Sequence, residues 1–261
     1  MTLLQRPGAT INYEFIGEKN TPVVTLVNGH TRSSSDFRMM ARILAGDGIA
    51  VLSLDNRAAG KSEAEGSFTI KDMCADVVAI WDEIGIQKSS LLGISMGGFI
   101  SLGIAITFPA RVNNLILVST APEARYINPT SGGWISEGNE LDKRMRTYFA
   151  PGFVERNPVL FNTMVSQIRQ AIDSGQFTKR SDMQREALRG AEWTSQLGKI
   201  SARTLIIHGQ QDLVIDLAAG ELLSQEIPGA KIEVIANAGH LLLAEAPKEL
   251  YRLVQEFLRE R

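Results

Sequence analysis

Three side chains in this sequence have the types and the chain order needed to break an acyl bond by nucleophilic attack. Ser95 stands in GISMG, with glycines at 93, 97 and 98; Asp212 stands in HGQQD and His240 in NAGHLLLAEAP. A serine hydroxyl is a weak nucleophile until a base takes its proton, and an imidazole needs a third group to orient it. G-x-S-x-G carries meaning where a strand turns sharply into a helix, because the tight turn lifts the hydroxyl above the sheet. Here the apolar run SSLLGI precedes Ser95 and the helix-like GGFISLGIAIT follows. The turn is expected to strain the Ser95 backbone, to clash with any side chain at the flanking glycines, and to aim a helix N-terminus at a developing oxyanion.

The chain holds two other histidines. His30 lies 65 positions before Ser95, and His208 ends inside the apolar run TLIIHG, whereas His240 falls in a glycine-containing loop ahead of the last helical pattern. Asp212 follows the preceding apolar run, with Asp216 as the alternative slightly further on. The order Ser95, Asp212, His240 is the one expected for a serine, an acid and a base on a doubly wound sheet. The plain alternatives are a surface loop histidine and a turn-forming aspartate. An oxyanion hole needs two backbone N–H groups. The Met96 amide, directly after the serine, is one candidate, and the loop NGHTRSSSD is expected to supply the other.

These groups need a frame, and the hydropathy pattern supplies one. Short apolar runs recur as TINYEFI, PVVTLVN, IAVLSLD, SSLLGIS, NNLILVST, RTLIIHG and AKIEVIA. Several are nearly continuously apolar, as in strands covered on both faces of a parallel sheet. Helical patterns lie between them. SDFRMMARILAGDG starts at a serine or aspartate cap and ends at glycine. TIKDMCADVVAIWDEIGI places Met73, Val77, Ile80 and Ile84 on one helical face, with Cys74 beside them as a small buried residue. PKELYRLVQEFLRER opens on proline and closes on basic residues. Alternating strands and helices predict an α/β fold with a mostly parallel, doubly wound sheet and right-handed crossovers.

One interval breaks the alternation. From residue 122 to 196 no strand signal appears, and the segment carries Trp134, Tyr148, Phe149, Phe153, Phe161 and Trp193. The expectation is a core of residues 1–121 and 197–261 with a helical cap, 122–196, inserted over a ligand crevice; a purely stabilising helical layer is the alternative.

Composition narrows the partners. A net charge of −2, from 27 basic and 29 acidic residues scattered along the chain, gives no reason to expect nucleic acid or an anionic membrane. The single cysteine, Cys74, allows no intrachain disulfide and makes a reducing compartment the default. With no basic start followed by an apolar stretch, and no transmembrane-length apolar run, the simplest expectation is a cytoplasmic protein acting on a small molecule. No metal-ligand spacing and no phosphate-binding glycine loop occurs, so no cofactor is expected.

Four separated pieces, LVNGHTRSS, DNRAAGKS, GISMGG and the pair HGQQD with NAGH, together resemble the α/β-hydrolase family over nearly the whole chain. The resemblance implies that the second oxyanion donor is the His30 amide. It also implies that Asp55 and Arg57 hold a structural loop, in which Ala58 stands where the family usually has glycine. Asn28-Gly29 replaces the usual His-Gly, as in some enol-lactonase-like members. Asn28, the His30 side chain, Trp134 and Leu241 are the candidate substrate contacts. A serine nucleophile sets the chain apart from the dehalogenases and epoxide hydrolases of this fold, which use aspartate. Leu241 follows the candidate base where many C–C bond hydrolases carry tryptophan. The expected activity is hydrolysis of a carboxylic ester or lactone through an acyl-enzyme. C–C bond hydrolysis, a cofactor-free perhydrolase reaction and a non-catalytic ligand-binding signalling role are the alternatives.

Overall fold

The computed structural model describes residues 2–18, 20–129 and 140–260. Among them nine strands form one sheet: β1 Thr2–Arg6, β2 Ala9–Ile16, β3 Val23–Val27, β4 Ala50–Leu54, β5 Glu63–Ala64, β6 Ser89–Ile94, β7 Val112–Val118, β8 Arg203–Gly209 and β9 Lys231–Ile235. Their spatial order is β1-β2-β4-β3-β6-β7-β8-β9, with β5 paired to β2. From β4 to β9 every pairing is parallel, whereas β1, β2 and β5 pair antiparallel. The expected mostly parallel sheet is therefore present, with an antiparallel end.

Two strands went unrecognised in the sequence. β1 is half-exposed, so its TLLQR lacks the apolar run that marks the buried strands, and β5 is only two residues long. Pro7 and Gly8 (φ 65°) make the turn that joins β1 to β2.

Among the described residues ten α-helices accompany the sheet: α1 Arg38–Gly46, α2 Ile70–Ile84, α3 Met96–Thr107, α4 Glu140–Arg146, α5 Phe153–Arg156, α6 Pro158–Asp173, α7 Phe177–Arg189, α8 Leu217–Glu226, α9 Leu242–Glu245 and α10 Pro247–Arg259. None is long and apolar enough to cross a membrane. α2 starts where the pattern places it: the Thr69 hydroxyl accepts from the Asp72 amide and the Asp72 carboxylate accepts from the Thr69 amide. α1 differs from expectation. Neither Ser35 nor Asp36 caps it; a 3₁₀ turn over Ser34–Phe37 leads in, the Ser35 hydroxyl pairs with that of Ser33, and Asp36 is engaged by Arg32 and Asn28 instead.

The strands alternate their side chains between two cores. Ile116 and Val118 face Met40, Leu44, Leu253 and Phe257 of α1 and α10, while Leu115 and Leu117 face the side of α2, α3 and α8. Between β7 and β8 the chain leaves the sheet as a run of helices, α4 to α7. It departs and returns side by side, through a bridge between Glu123 and Glu192. The Trp193 indole N–H, donated to the Phe99 carbonyl at 3.0 Å, anchors the return to α3.

Strand order reverses between β3 and β6, so the loops after these strands splay apart and leave a crevice at their carboxyl ends. A buried polar pair ties α2 to β3. The Trp81 indole N–H donates to the Thr25 hydroxyl at 2.8 Å, and both residues are fully buried. Thr25→Val leaves that N–H without a partner and lowers unfolding free energy by about 1–3 kcal/mol; urea denaturation of the two proteins, with an unchanged m-value, checks this.

Candidate active site

The turn between β6 and α3 is tight because backbones meet there. A Cβ on Gly97 would overlap the Val27 carbonyl oxygen, one on Gly93 the Gly97 carbonyl oxygen, and one on Gly98 the Thr120 side chain. None of these three glycines has positive φ; the left-handed conformation falls on Ser95 itself, at φ 53° and ψ −119°. Such a conformation costs a non-glycine residue about 1–3 kcal/mol and persists only where its surroundings enforce it. Here the Ser95 amide donates to the Val118 carbonyl at 2.9 Å, and the Ser95 carbonyl accepts from the Thr120 hydroxyl and the Gly98 amide, both at 2.8 Å.

The Ser95 hydroxyl so presented lies 3.0 Å from His240 Nε2, and His240 Nδ1 lies 2.8 Å from Asp212 Oδ2. A carboxylate only accepts, so Nδ1 carries the hydrogen and Nε2 offers its lone pair to the serine proton. Asp212 is held in turn: its Oδ1 accepts the amides of Val214 at 2.8 Å and Ile215 at 2.9 Å. Burial would raise this carboxyl, but the facing His240 and hydrogen bonds from His208 and His240 hold it well below the usual carboxylate range. Asp216, the alternative acid, is occupied elsewhere, capping α8 through the Ala218 amide at 2.8 Å.

Sequence reading missed the residues that hold this chain in place. His208 Nε2 is 2.9 Å from the Ile215 carbonyl and 3.4 Å from Asp212 Oδ2. A carbonyl only accepts, so that nitrogen is protonated and its hydrogen also faces the carboxylate. The Tyr148 carbonyl accepts from the amides of His240 at 3.0 Å and Leu241 at 3.3 Å, and the Tyr148 ring meets the imidazole edge-on, centroids 5.6 Å apart. Glu245 joins the same parts: Oε2 accepts the Ala150 amide at 2.7 Å and Oε1 the Gly239 amide at 3.1 Å. Burial raises the Glu245 carboxyl, and those amides partly offset it. Only the folded chain brings these residues together: His208 and Glu245 lie within the stretches HGQQD and NAGHLLLAEAP, but nothing local shows what they hold.

The β3 loop forms the opposite wall. Asn28 donates from Nδ2 to the Ser33 carbonyl and to Asp36, and accepts the Gly29 amide on Oδ1, so its polar atoms organise the loop. His30 Nε2 lies 2.9 Å from the Ser181 carbonyl, and Gln184 accepts the Thr31 amide at 2.6 Å while donating to the Arg57 carbonyl at 2.6 Å. Helix α7 is thereby fastened to the loop. Asp55 and Arg57 serve the fold: Asp55 accepts from Ser34, Asn12 and Lys61, and Arg57 clamps Asp76. Ala58, at φ 59°, occupies the left-handed region that suits glycine. Cys74 is buried beside α3, its thiol pushed up to about 12 chiefly by burial, which leaves no nucleophile there.

A cavity of about 390 Å³ opens at Ser95 and His240. Its lining includes Asn28, His30, Met96 and Leu241 from the sheet loops, and Met145, Tyr148, Leu160, Met164, Ile168, Arg185 and Leu188 from the helical insertion. Trp134 lies outside the described residues.

A sequence profile for the alpha/beta hydrolase fold matches residues 22–247. The chain belongs to this family. Among proteins similar to it is 3-oxoadipate enol-lactonase 2 of Acinetobacter baylyi, 27% identical, with 95% of this chain and 93% of the relative aligned. A 2-hydroxymuconate semialdehyde hydrolase of Pseudomonas putida is 26% identical over 89% of this chain and 80% of its own. The crystal structure of the enol-lactonase of Burkholderia xenovorans LB400 superposes with a TM-score of 0.85, at 25% identity, covering 99% of this chain and 100% of that one.

The His30 imidazole gives the site wall a pH signature. Burial lowers its pKa from 6.5 to about 4, with Arg185 adding to the effect and the Ser181 carbonyl opposing it. Between those values the unfolded chain binds a proton that the folded one refuses, so stability falls as pH drops from about 6.5 to about 4. His30→Gln flattens that decline in Tm, measured by thermal unfolding across the interval; a slope equal to that of the wild type would contradict the assignment.

Proposed function

We propose that the protein is a serine hydrolase that cleaves a carboxylic ester or lactone of a small, largely apolar substrate through an acyl-enzyme on Ser95. The observation that carries this reading is the hydrogen-bonded chain from Ser95 through His240 to Asp212 at the floor of a mostly apolar cavity. In the first step His240 Nε2 takes the hydroxyl proton as Ser95 Oγ attacks the carbonyl, and Asp212 stabilises the resulting imidazolium. The backbone amides of Met96 and His30 are the donors for the tetrahedral oxyanion. Met96 opens α3, so its N–H belongs to the first turn, which has no partner within the helix. His240 returns the proton to the leaving alcohol, then draws one from a water that attacks the acyl carbonyl. Residues 122–196 act as the cap, their apolar side chains holding the substrate's hydrocarbon against the sheet loops and keeping bulk water out.

The enol-lactonase relatives favour the ester or lactone bond, while the semialdehyde hydrolase relative favours C–C bond cleavage by the same three residues as the second reading. Leu241, in place of the tryptophan many C–C hydrolases carry after the base, weighs toward the first.

A panel of short esters, lactones and vinylogous diketones, run beside covalent labelling with a fluorophosphonate, tests this. The expected result is turnover of the esters or lactones, labelling at Ser95, and a kcat reduced about 10⁶-fold in Ser95→Ala. Ester turnover that survives in Ser95→Ala, or a probe that labels elsewhere, would overturn the assignment.

A further inference from the structure

Most of the cavity wall is aliphatic, which makes its polar members informative. Arg32 and Asp36 line it together, and the pair is closed: Arg32 Nε and Nη2 reach Asp36 at 2.6 and 2.8 Å. Arg57 grips Asp76 with the same edge, Nε and Nη2, at 2.5 and 2.9 Å. Arg185 is different. It lines the cavity, its Nε and Nη2 are both enclosed, and neither has a hydrogen-bond partner among the described residues. Asp182, one turn back on α7, lies 3.0 Å from Nη2 but out of line for a hydrogen bond, and its own side chain is 53% exposed. A surface pair of that kind contributes little.

The placement of Arg185 is fixed by its neighbours. Ser181, Gln184, Arg185 and Leu188 recur at helical spacing on one face of α7. Ser181 and Gln184 tie that face to the β3 loop through His30 and Thr31, and Leu188 lines the cavity beside them. Arg185 also acts electrostatically on His30 and on Tyr148, which line the same cavity as Ser95 and His240. A third of the Arg185 side chain is exposed, but its Nε and Nη2 are enclosed and make no hydrogen bond among the described residues, a cost that a fitting acceptor would relieve.

Resting on the hydrolase reading above, we propose that the Nε and Nη2 edge of Arg185 is a carboxylate subsite. The preferred substrate would then be an ester or lactone bearing a carboxylate, separated from the scissile carbonyl by a short apolar stretch. The planar edge offers two parallel N–H donors that match the two oxygens of a carboxylate, as Arg32 and Arg57 already show within this fold. The largely aliphatic lining of the cavity that Arg185 and Ser95 share suits the hydrocarbon that joins the two ends, and a neutral His30 adds no competing charge.

The test compares monomethyl esters of short dicarboxylic acids with methyl esters of monocarboxylic acids of equal length, followed by pH-stat, in wild type, Arg185→Gln and Arg185→Lys. The expected result is a preference for the carboxylated series, reduced about 10- to 100-fold in kcat/KM by Arg185→Gln and partly restored by Arg185→Lys. Equal turnover of both series by the wild type would overturn the subsite while leaving the hydrolase reading standing. Calorimetric titration of wild type and Arg185→Gln with glutarate decides the case independently of turnover. Binding that the substitution weakens about 10- to 100-fold supports the subsite even if no ester is cleaved, and binding that is absent, or the same in both proteins, overturns it. Circular dichroism of each variant confirms that the fold is retained.

Discussion

The approach of α3 to the β3 strand end governs the rest of the site. Gly97 sits against the carbonyls of Val27 and Asn28, so close that no side chain fits between. That contact draws the start of α3 under the β3 loop and forces the turn before it to be sharp. The strain of the turn falls on Ser95, whose φ of 53° is the left-handed value that glycine adopts freely and serine does not. The backbone thus sets where the Ser95 Cβ stands, and the hydroxyl it carries lies 3.0 Å from His240 Nε2. The two walls of the crevice, Asn28 to Thr31 on one side and the start of α3 on the other, share the same origin.

His240 and Asp212 reach the serine because two neighbouring loops are stitched together. The Gln210 amide donates to the Ile235 carbonyl and the Gln211 amide to the Ala238 carbonyl, at 3.0 and 2.9 Å. Gly209 lies against the Gly239 carbonyl with no space for a Cβ. Asp212 and His240 are thus carried by one fused unit at the ends of β8 and β9. His208, at the end of β8, brings a second imidazole to the same oxygen, Asp212 Oδ2, at 3.4 Å.

How much of this was legible in the sequence follows from the reach of each interaction. Ser95, Asp212 and His240 sit at strand ends, where apolar runs mark the frame and chain order narrows the partners, so their meeting was readable. The half-exposed β1 and the two-residue β5 were not, because neither bears a periodic apolar signal. The capping expected of Ser35 or Asp36 failed for a related reason: a carboxylate that could close a helix is drawn instead to Arg32 and Asn28, a competition that only the folded loop decides. Tyr148, Glu245, Ser181 and Gln184 act through backbone atoms or across more than 90 residues of chain, and such contacts leave no local pattern.

The Tyr148 carbonyl binds the amides of His240 and Leu241, and Glu245 binds Ala150 and Gly239 across the same seam. The helical insertion and the base-bearing loop therefore share hydrogen bonds that neither can keep alone. Any excursion that lifts residues 148–150 away from the sheet strips His240 of part of its support. A displaced segment 148–150 and a His240 amide bonded to the Tyr148 carbonyl therefore cannot coexist, and the position of the imidazole over Ser95 is tied to the seating of those three residues.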